Sequence, residues 1–206
     1  MNRQMRSILG VAAGAALVLT GCTSGQSDPG ATPSGTLAPN PAGLETYYGQ
    51  DLSWGNCGGG FECATLRVPR NYADPAGDGD FALELVRLPA AGDPIGSLVL
   101  NPGGPGGSGV DYARAARAVL SPDVLQRYDV VGFDPRGVVS SEPVNCVSDA
   151  EQDLLIAADP TPDDQREIAQ AEALTATIGT GCANRSPDIY QWMDSVSVVK
   201  DMDILR

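Results

Sequence analysis

Hydrophobic and polar positions change period along this chain, and the changes mark its elements. Residues 64–70, with Leu66 and Val68, and residues 81–88, with Phe81, Leu83 and Leu85, alternate apolar with polar side chains. Alternation of period two predicts strands. The turn-rich Asp74-Pro75-Ala76-Gly77-Asp78-Gly79 separates the two. Residues 97–101 and 128–133 are short, continuous apolar runs bounded by Gly and Pro, the pattern of buried strands in a parallel sheet. Between them, residues 111–120 place Tyr112, Ala115, Ala116 and Val119 on one face of a predicted helix. Strand, glycine-rich turn, helix and strand make a βαβ unit, so the fold class is α/β.

After Gly137 the pattern becomes helical. Residues 149–158 and 163–178 each open on acidic side chains, which suit the positive end of a helix. Both lie between Cys146 and Cys182, so a bond between those cysteines would close a helical excursion. A last helix is predicted from about Asp194 to Arg206, with no C-terminal stop signal.

The first 43 residues read differently. Arg3 and Arg6 precede an apolar run from Ile8 to Leu19, too short to span a bilayer but right for the core of a signal peptide. The run ends Leu19-Thr20-Gly21-Cys22, which resembles the lipobox of bacterial lipoproteins. That resemblance implies a signal peptide over residues 1–21 and a lipidated Cys22. It also implies export to the outer face of the cell membrane by that anchor, or secretion. Several acyl chains on one residue give durable membrane attachment. Residues 22–43, with Ser, Thr, Gly, Pro and Ala dominant, cannot bury a core and form a flexible tether. Residues 44–206 form the folded part.

Composition narrows the partners. The net charge is −13, and loss of Arg3 and Arg6 with the signal peptide makes the chain more acidic still. Such a surface does not hold nucleic acid, whose phosphates need lysine and arginine. Beyond the lipobox, Cys57, Cys63, Cys146 and Cys182 form an even set, read in an exported chain as two disulfides. Three pairings are open; Cys57 with Cys63 and Cys146 with Cys182 is the simplest. With no histidine and no Cys-x-x-Cys, no metal site is expected.

The chemistry turns on Asn101-Pro102-Gly103-Gly104-Pro105-Gly106-Gly107-Ser108-Gly109. Its glycines let the backbone present N–H groups closely to a ligand, and a predicted helix follows, so the loop reads as an anion site. Three readings are open. Gly104, Gly106 and Gly109 match a dinucleotide-binding G-x-G-x-x-G, with Asp134 at the end of the next strand. Against it, two strands precede the loop, and export removes the chain from nicotinamide cofactors. A second reading is an oxyanion hole; a third is a structural Gly-Pro turn.

The loop, together with Asp134-Pro135-Arg136-Gly137, closely resembles exported α/β-hydrolase peptidases, namely the tripeptidyl aminopeptidases and the related prolyl aminopeptidases. The Trp54, Cys57 and Cys63 region, Val68-Pro69 and the helix with Asp201 and Asp203 also look like this family. The resemblance runs from about Leu44 to Arg206. It implies the N-terminal half of an α/β-hydrolase sheet with flanking helices, a peptide substrate and no cofactor. It implies that the N–H of Gly104, helped by Gly103, lines the oxyanion hole, and that Asp134, Arg136 and Gly137 make a structural turn. Pro102 stands where the prolyl enzymes have histidine. Val139 departs from the family's Asp-Pro-Arg-Gly-x-Gly-x-Ser, at its second glycine.

No catalytic residue is expected within the chain. A serine hydrolase needs a nucleophile, a base and an acid, and the base is normally histidine. Ser108 lacks the final glycine of G-x-S-x-G, since Val110 stands there, and Ser140 and Ser141 have no glycine frame. Ser197-Val198-Val199-Lys200 matches S-x-x-K, yet its companion S-D-N is missing, and Lys200 is the only lysine, which excludes K-T-G. In the α/β-hydrolase order the nucleophile follows the helix predicted at 194–206. The expectation is therefore a fragment that stops before the nucleophile strand, from an aminopeptidase releasing short peptides. The alternative is a non-catalytic lipoprotein, a remnant or a binding module.

Overall fold

The computed structural model describes residues 40–206. The expected signal peptide, Cys22 and most of the expected tether lie outside the described residues. Among the described residues Leu44 is the first that is buried, and it stands at the N-terminal end of a short helix, α1 (Glu45–Tyr48).

Among the described residues five strands make one mixed sheet: β1 (Gly55–Gly58), β2 (Phe61–Pro69), β3 (Asp80–Leu88), β4 (Gly96–Leu100) and β5 (Tyr128–Phe133). Their order is β1-β2-β3-β5-β4. The first three pair antiparallel, β3 pairs antiparallel with β5, and β4 runs parallel to β5. The predicted strands fall within one or two residues of the observed ones at most ends, and near β2 the strand starts earlier, at Phe61. Strand β1 is missing from the sequence reading. Gly-Asn-Cys-Gly has no apolar alternation, and it becomes a strand only by pairing with β2, to which the Cys57–Cys63 disulfide ties it.

Period two sorts the side chains of β2 and β3 onto opposite faces. Leu66, Val68, Phe81, Leu83 and Leu85 meet Phe133 and Ile204 on one face. Phe61, Val86, Leu88, Leu100 and Val130 meet Ala113 and Ala116 on the other. The first face is covered by α7 (Ser195–Leu205), with Tyr47, Tyr48 and Tyr72 packed around it. The second is covered by α2 (Gly109–Arg114), α3 (Ala116–Val119) and α4 (Pro122–Arg127).

The predicted helix over 111–120 is therefore two short helices, and its buried side differs from the reading. Ala113 and Ala116 are buried, whereas Tyr112 and Val119 are 40% and 50% exposed. Close packing explains the change. A Cβ on Gly132 would stand 2.1 Å from the Gly109 carbonyl oxygen and 2.6 Å from the Ala113 Cβ, so only small residues fit where α2 crosses β5.

Beyond β5 the chain turns back and leaves as α5 (Asp149–Ile156) and α6 (Gln165–Arg185), with the Cys146–Cys182 disulfide across their base. A 3-10 turn (Tyr190–Trp192) then leads to α7. No helix among the described residues is long and apolar enough to cross a membrane.

Candidate functional site

The glycine loop springs from the end of β4. Asn101 accepts the Gly103 N–H on its side-chain oxygen at 3.1 Å, and Gly107 N–H donates to the Gly103 carbonyl at 2.9 Å. Gly103, Gly104 and Gly106 hold φ of 77°, 128° and 92°. At Gly104 a side chain is excluded twice, because its φ disfavours L residues and a Cβ would stand 3.0 Å from the Gly107 nitrogen. The loop from Asn101 to Gly106 is exposed. Among the described residues Gly104 N–H has no hydrogen-bond partner, while Gly103 N–H is taken by Asn101. Gly104 thus offers one free backbone donor to an incoming oxygen.

A buried carboxylate braces the loop. Asp134, fully buried at the end of β5, accepts from Ser108 Oγ at 2.6 Å and from Val110 N–H at 3.2 Å on one oxygen. Its other oxygen accepts Ser140 N–H at 3.0 Å. Ser108 in turn caps α2 by accepting Asp111 N–H at 3.0 Å. One side chain therefore locks the start of α2 to the turn after β5. With both oxygens so engaged, Asp134 has no role left as the ribose acceptor of a dinucleotide fold. The glycine loop also follows the edge strand β4, and the six-residue α2 is a poor phosphate platform.

The turn after β5 is held from several sides. Ser141, buried, accepts Glu84 N–H of β3 at 2.9 Å on its hydroxyl, and Glu142 pairs with Arg70 at 3.0 Å. Val139 stands at φ 35°, a conformation that favours glycine, although it is β-branched. The hydrogen bonds on either side of it hold the glycine-type turn with valine in place. Gly137 has φ 78°, and a Cβ there would meet Met193 Sδ at 2.2 Å.

Arg136 points away from the loop and ties the sheet to α7. It is bidentate to Asp201, at 2.8 Å and 2.6 Å, and donates to the carbonyls of Pro69, Arg70 and Trp192. Its guanidinium lies 4.9 Å from the Phe81 ring centroid. Tyr72 donates to Asp201 at 2.7 Å. Burial pushes the Asp201 carboxyl up, and the bonds from Arg136 and Tyr72 act against burial by favouring its charged form. Burial also raises the Tyr72 phenol, with Asp201 beside it adding to the effect. Tyr48 of α1 donates to Asp203, which shares α7 with Asp201, and burial followed by that bond pushes the Tyr48 phenol up to about 12.

The S-x-x-K pair is occupied otherwise. Ser197 Oγ donates to Asp194 at 2.7 Å as part of the α7 cap, and Lys200 Nζ sits 4.9 Å from the Tyr72 ring centroid. Ser108 braces the loop through a carboxylate 26 residues further on and carries no sequence signal for that part, whereas Asn101 acts on Gly103 two residues away and Ser140 on Asp134 six residues away.

No family model matches the chain. It is 38% identical over 215 residues to a protein named serine protease Hip1 from Mycobacterium tuberculosis, with 98% of this chain and 39% of that protein covered. It is 38% identical over 148 residues to carboxylesterase B of the same species, covering 70% of this chain and 28% of the relative. A tripeptidyl aminopeptidase of Streptomyces coelicolor is 32% identical over 166 residues, covering 75% of this chain and 30% of the relative. The chain spans about two fifths of the length of the first relative, at 39%. These likenesses, at 32% to 38% identity, support a serine hydrolase and peptidase family for this chain.

Proposed function

We propose that the chain is the N-terminal part of an exported, membrane-anchored serine hydrolase, an aminopeptidase that releases short peptides from substrate N-termini. The observation that carries this reading is the free, exposed N–H of Gly104 in a loop braced by Asp134. A preorganised donor of this kind stabilises the charge that grows on a carbonyl oxygen as a peptide or ester is attacked. One such donor lowers the barrier by about 3 kcal/mol. Gly103 would assist if Asn101 released its N–H. The tripeptidyl aminopeptidase among the relatives supports the substrate class. The anchor rests on Cys22, in a segment outside the described residues.

Nucleophile, acid and histidine base lie, on this reading, in polypeptide outside these 206 residues, because the chain contains no histidine. The sheet supports this, since β4 pairs only with β5 among the described strands and its outer edge is free to take another strand. A fluorophosphonate probe tests the assignment. It should leave the 206-residue chain unlabelled and label a polypeptide that extends past Arg206. Labelling of the 206-residue chain itself overturns the reading.

A second reading, an esterase, is favoured by the carboxylesterase relative, which matches at the same 38% identity as the protease over a shorter stretch, 148 residues against 215. Both reactions use the same oxyanion hole. Preference for a short acyl ester over a tripeptide amide in the longer polypeptide, assayed without the probe, separates them.

A further inference from the structure

The two disulfides stand in different surroundings. Cys57–Cys63 joins the edge strand β1 to β2 across a separation of six residues. Both cysteines are half-buried, while Gly55, Asn56, Gly58, Gly59 and Gly60 around Cys57 are all exposed. A Cβ added at Gly55 or Gly58 would meet nothing within 4 Å, so the approach to Cys57 from solvent is open. Beside the other sulfur lies a charge. Arg114 of α2 holds Nη2 3.7 Å from Cys63 Sγ, and its guanidinium stands 5.6 Å from the Phe61 ring centroid. Among the described residues no carboxylate pairs with Arg114. Glu84, which borders the same shallow hollow as Cys63 and Asp51, accepts the Thr65 hydroxyl at 3.1 Å. Glu62, on the opposite face of β2, is taken by Arg87. The charge in contact with the sulfur is therefore that of Arg114. Cys146–Cys182 differs. Arg185, one turn beyond Cys182, is spent on Glu151 at 3.0 Å, and a Cβ on Gly181 would stand 1.7 Å from the Cys146 carbonyl oxygen.

We infer that the Cys57–Cys63 pair is a thiol-exchange site, at which a small thiol is taken up on Cys57 while Cys63 leaves. The thiolate sulfur of the small molecule forms a bond to Cys57 Sγ as the Cys57–Cys63 bond breaks. The electron pair of the broken bond goes to Cys63 Sγ. The chain then carries a mixed disulfide at Cys57 and a thiolate at Cys63, and the number of disulfides is unchanged. A guanidinium beside the departing sulfur stabilises its negative charge, and a more stable thiolate leaves faster. Exchange has a local structural consequence. Strand β1 pairs only with β2 among the described strands, so loss of the covalent tie releases β1 and uncovers an edge of β2. A cross-link of separation six stabilises a fold less than one of separation 36, so the rest of the sheet stands. This inference goes beyond the hydrolase reading and does not depend on it, because exchange here requires no catalytic serine.

The test exposes the oxidised 206-residue chain, its Cys22 first blocked with N-ethylmaleimide, to excess 2-mercaptoethanol. Early samples are trapped with iodoacetamide, and peptide mass spectrometry reads which group each sulfur carries. Mercaptoethanol is expected on Cys57 and the acetamide on Cys63, about tenfold faster than Cys146–Cys182 opens. Arg114→Gln should slow this exchange about fivefold. Arg127→Gln, an equal charge change at the exposed end of α4, should alter it less than about twofold. Residues 114 and 127 are exposed, so both variants keep the fold, as an unchanged thermal transition of the oxidised chains would verify. Mercaptoethanol on Cys63 in the unsubstituted chain overturns the inference, as does earlier opening of Cys146–Cys182. So does exchange that proceeds only in step with global unfolding, measured by hydrogen exchange of β3. An unchanged rate in Arg114→Gln, or an equal slowing in Arg127→Gln, removes the assigned role of the guanidinium and overturns it too. None of these outcomes touches the fluorophosphonate test, so the two readings fail separately.

Discussion

Strand β3 and helix α6 are both regular, yet they are ordered by different forces. In its nine residues β3 buries Phe81, Leu83, Leu85, Val86 and Leu88, on both faces of the sheet. Each buried side chain of that size contributes about 1.5 to 3 kcal/mol relative to exposure. Helix α6 has 21 residues and buries none. It persists because it is long enough to propagate, because Asp164 and Glu167 form a capping box at its start, and because a disulfide fixes its base. Helix α5 repeats the device with Ser148 and Glu151. The body of the domain thus depends on contacts between distant residues, and the arm on local bonds, one covalent link and the exposed Arg185–Glu151 pair. A substitution in the body should be felt everywhere, and one in the arm only there.

The largest effect should come from Arg136→Ala. It leaves Asp201 buried without its partner, which costs about 3 to 5 kcal/mol, and it frees α7 from the sheet. Thermal unfolding should shift as a whole, with sheet and α7 melting together. Separate melting of α7 would show that the body is less cooperative than its contacts imply. Next comes Cys146→Ser with Cys182→Ser, which reopens a loop of sequence separation 36. The loss should be about 2 to 4 kcal/mol and confined to the arm. Hydrogen exchange should quicken in α5 and α6 and stay slow in β2, β3 and β5. Faster exchange in the sheet would erase the contrast.

The smallest effect concerns the caps. Ser148→Ala should cost α5 about 1 kcal/mol. The cap also makes α5 sensitive to acid. Hydrogen bonds from the Ser148 N–H and hydroxyl, with Arg185 nearby, hold the Glu151 carboxyl below its ordinary 4.5. A carboxyl depressed in the folded state supports folding above the unfolded value of 4.5 and loses that support as pH falls through the folded value. Protection of the Glu151 amide should therefore fade below pH 4.5 while β3 amides hold. Equal fading in both would mean that the arm and the body unfold as one unit.

What the sequence determined by itself is whatever depends on neighbours in the chain. Alternation at residues 81–88 and the apolar run at 128–133 were legible because one strand's pattern suffices to define its faces. The acidic starts of α5 and α6 were legible because a cap closes within three residues. The glycine loop could be read as an anion site from its composition, and the cysteines as an even set for pairing. Tertiary structure alone decided the rest. Gly-Asn-Cys-Gly became a strand through a partner, and the buried face of the 111–120 segment turned on how closely β5 approaches at Gly132. The glycine loop is braced through Ser108 by the carboxylate of Asp134, 26 residues further along the chain. The hold of Arg136 on Asp201 joins residues 65 apart. The physical reason is the same in each case. A hydrogen bond or close contact between distant residues leaves no periodic mark in either segment, and it exists only once the chain has brought them together.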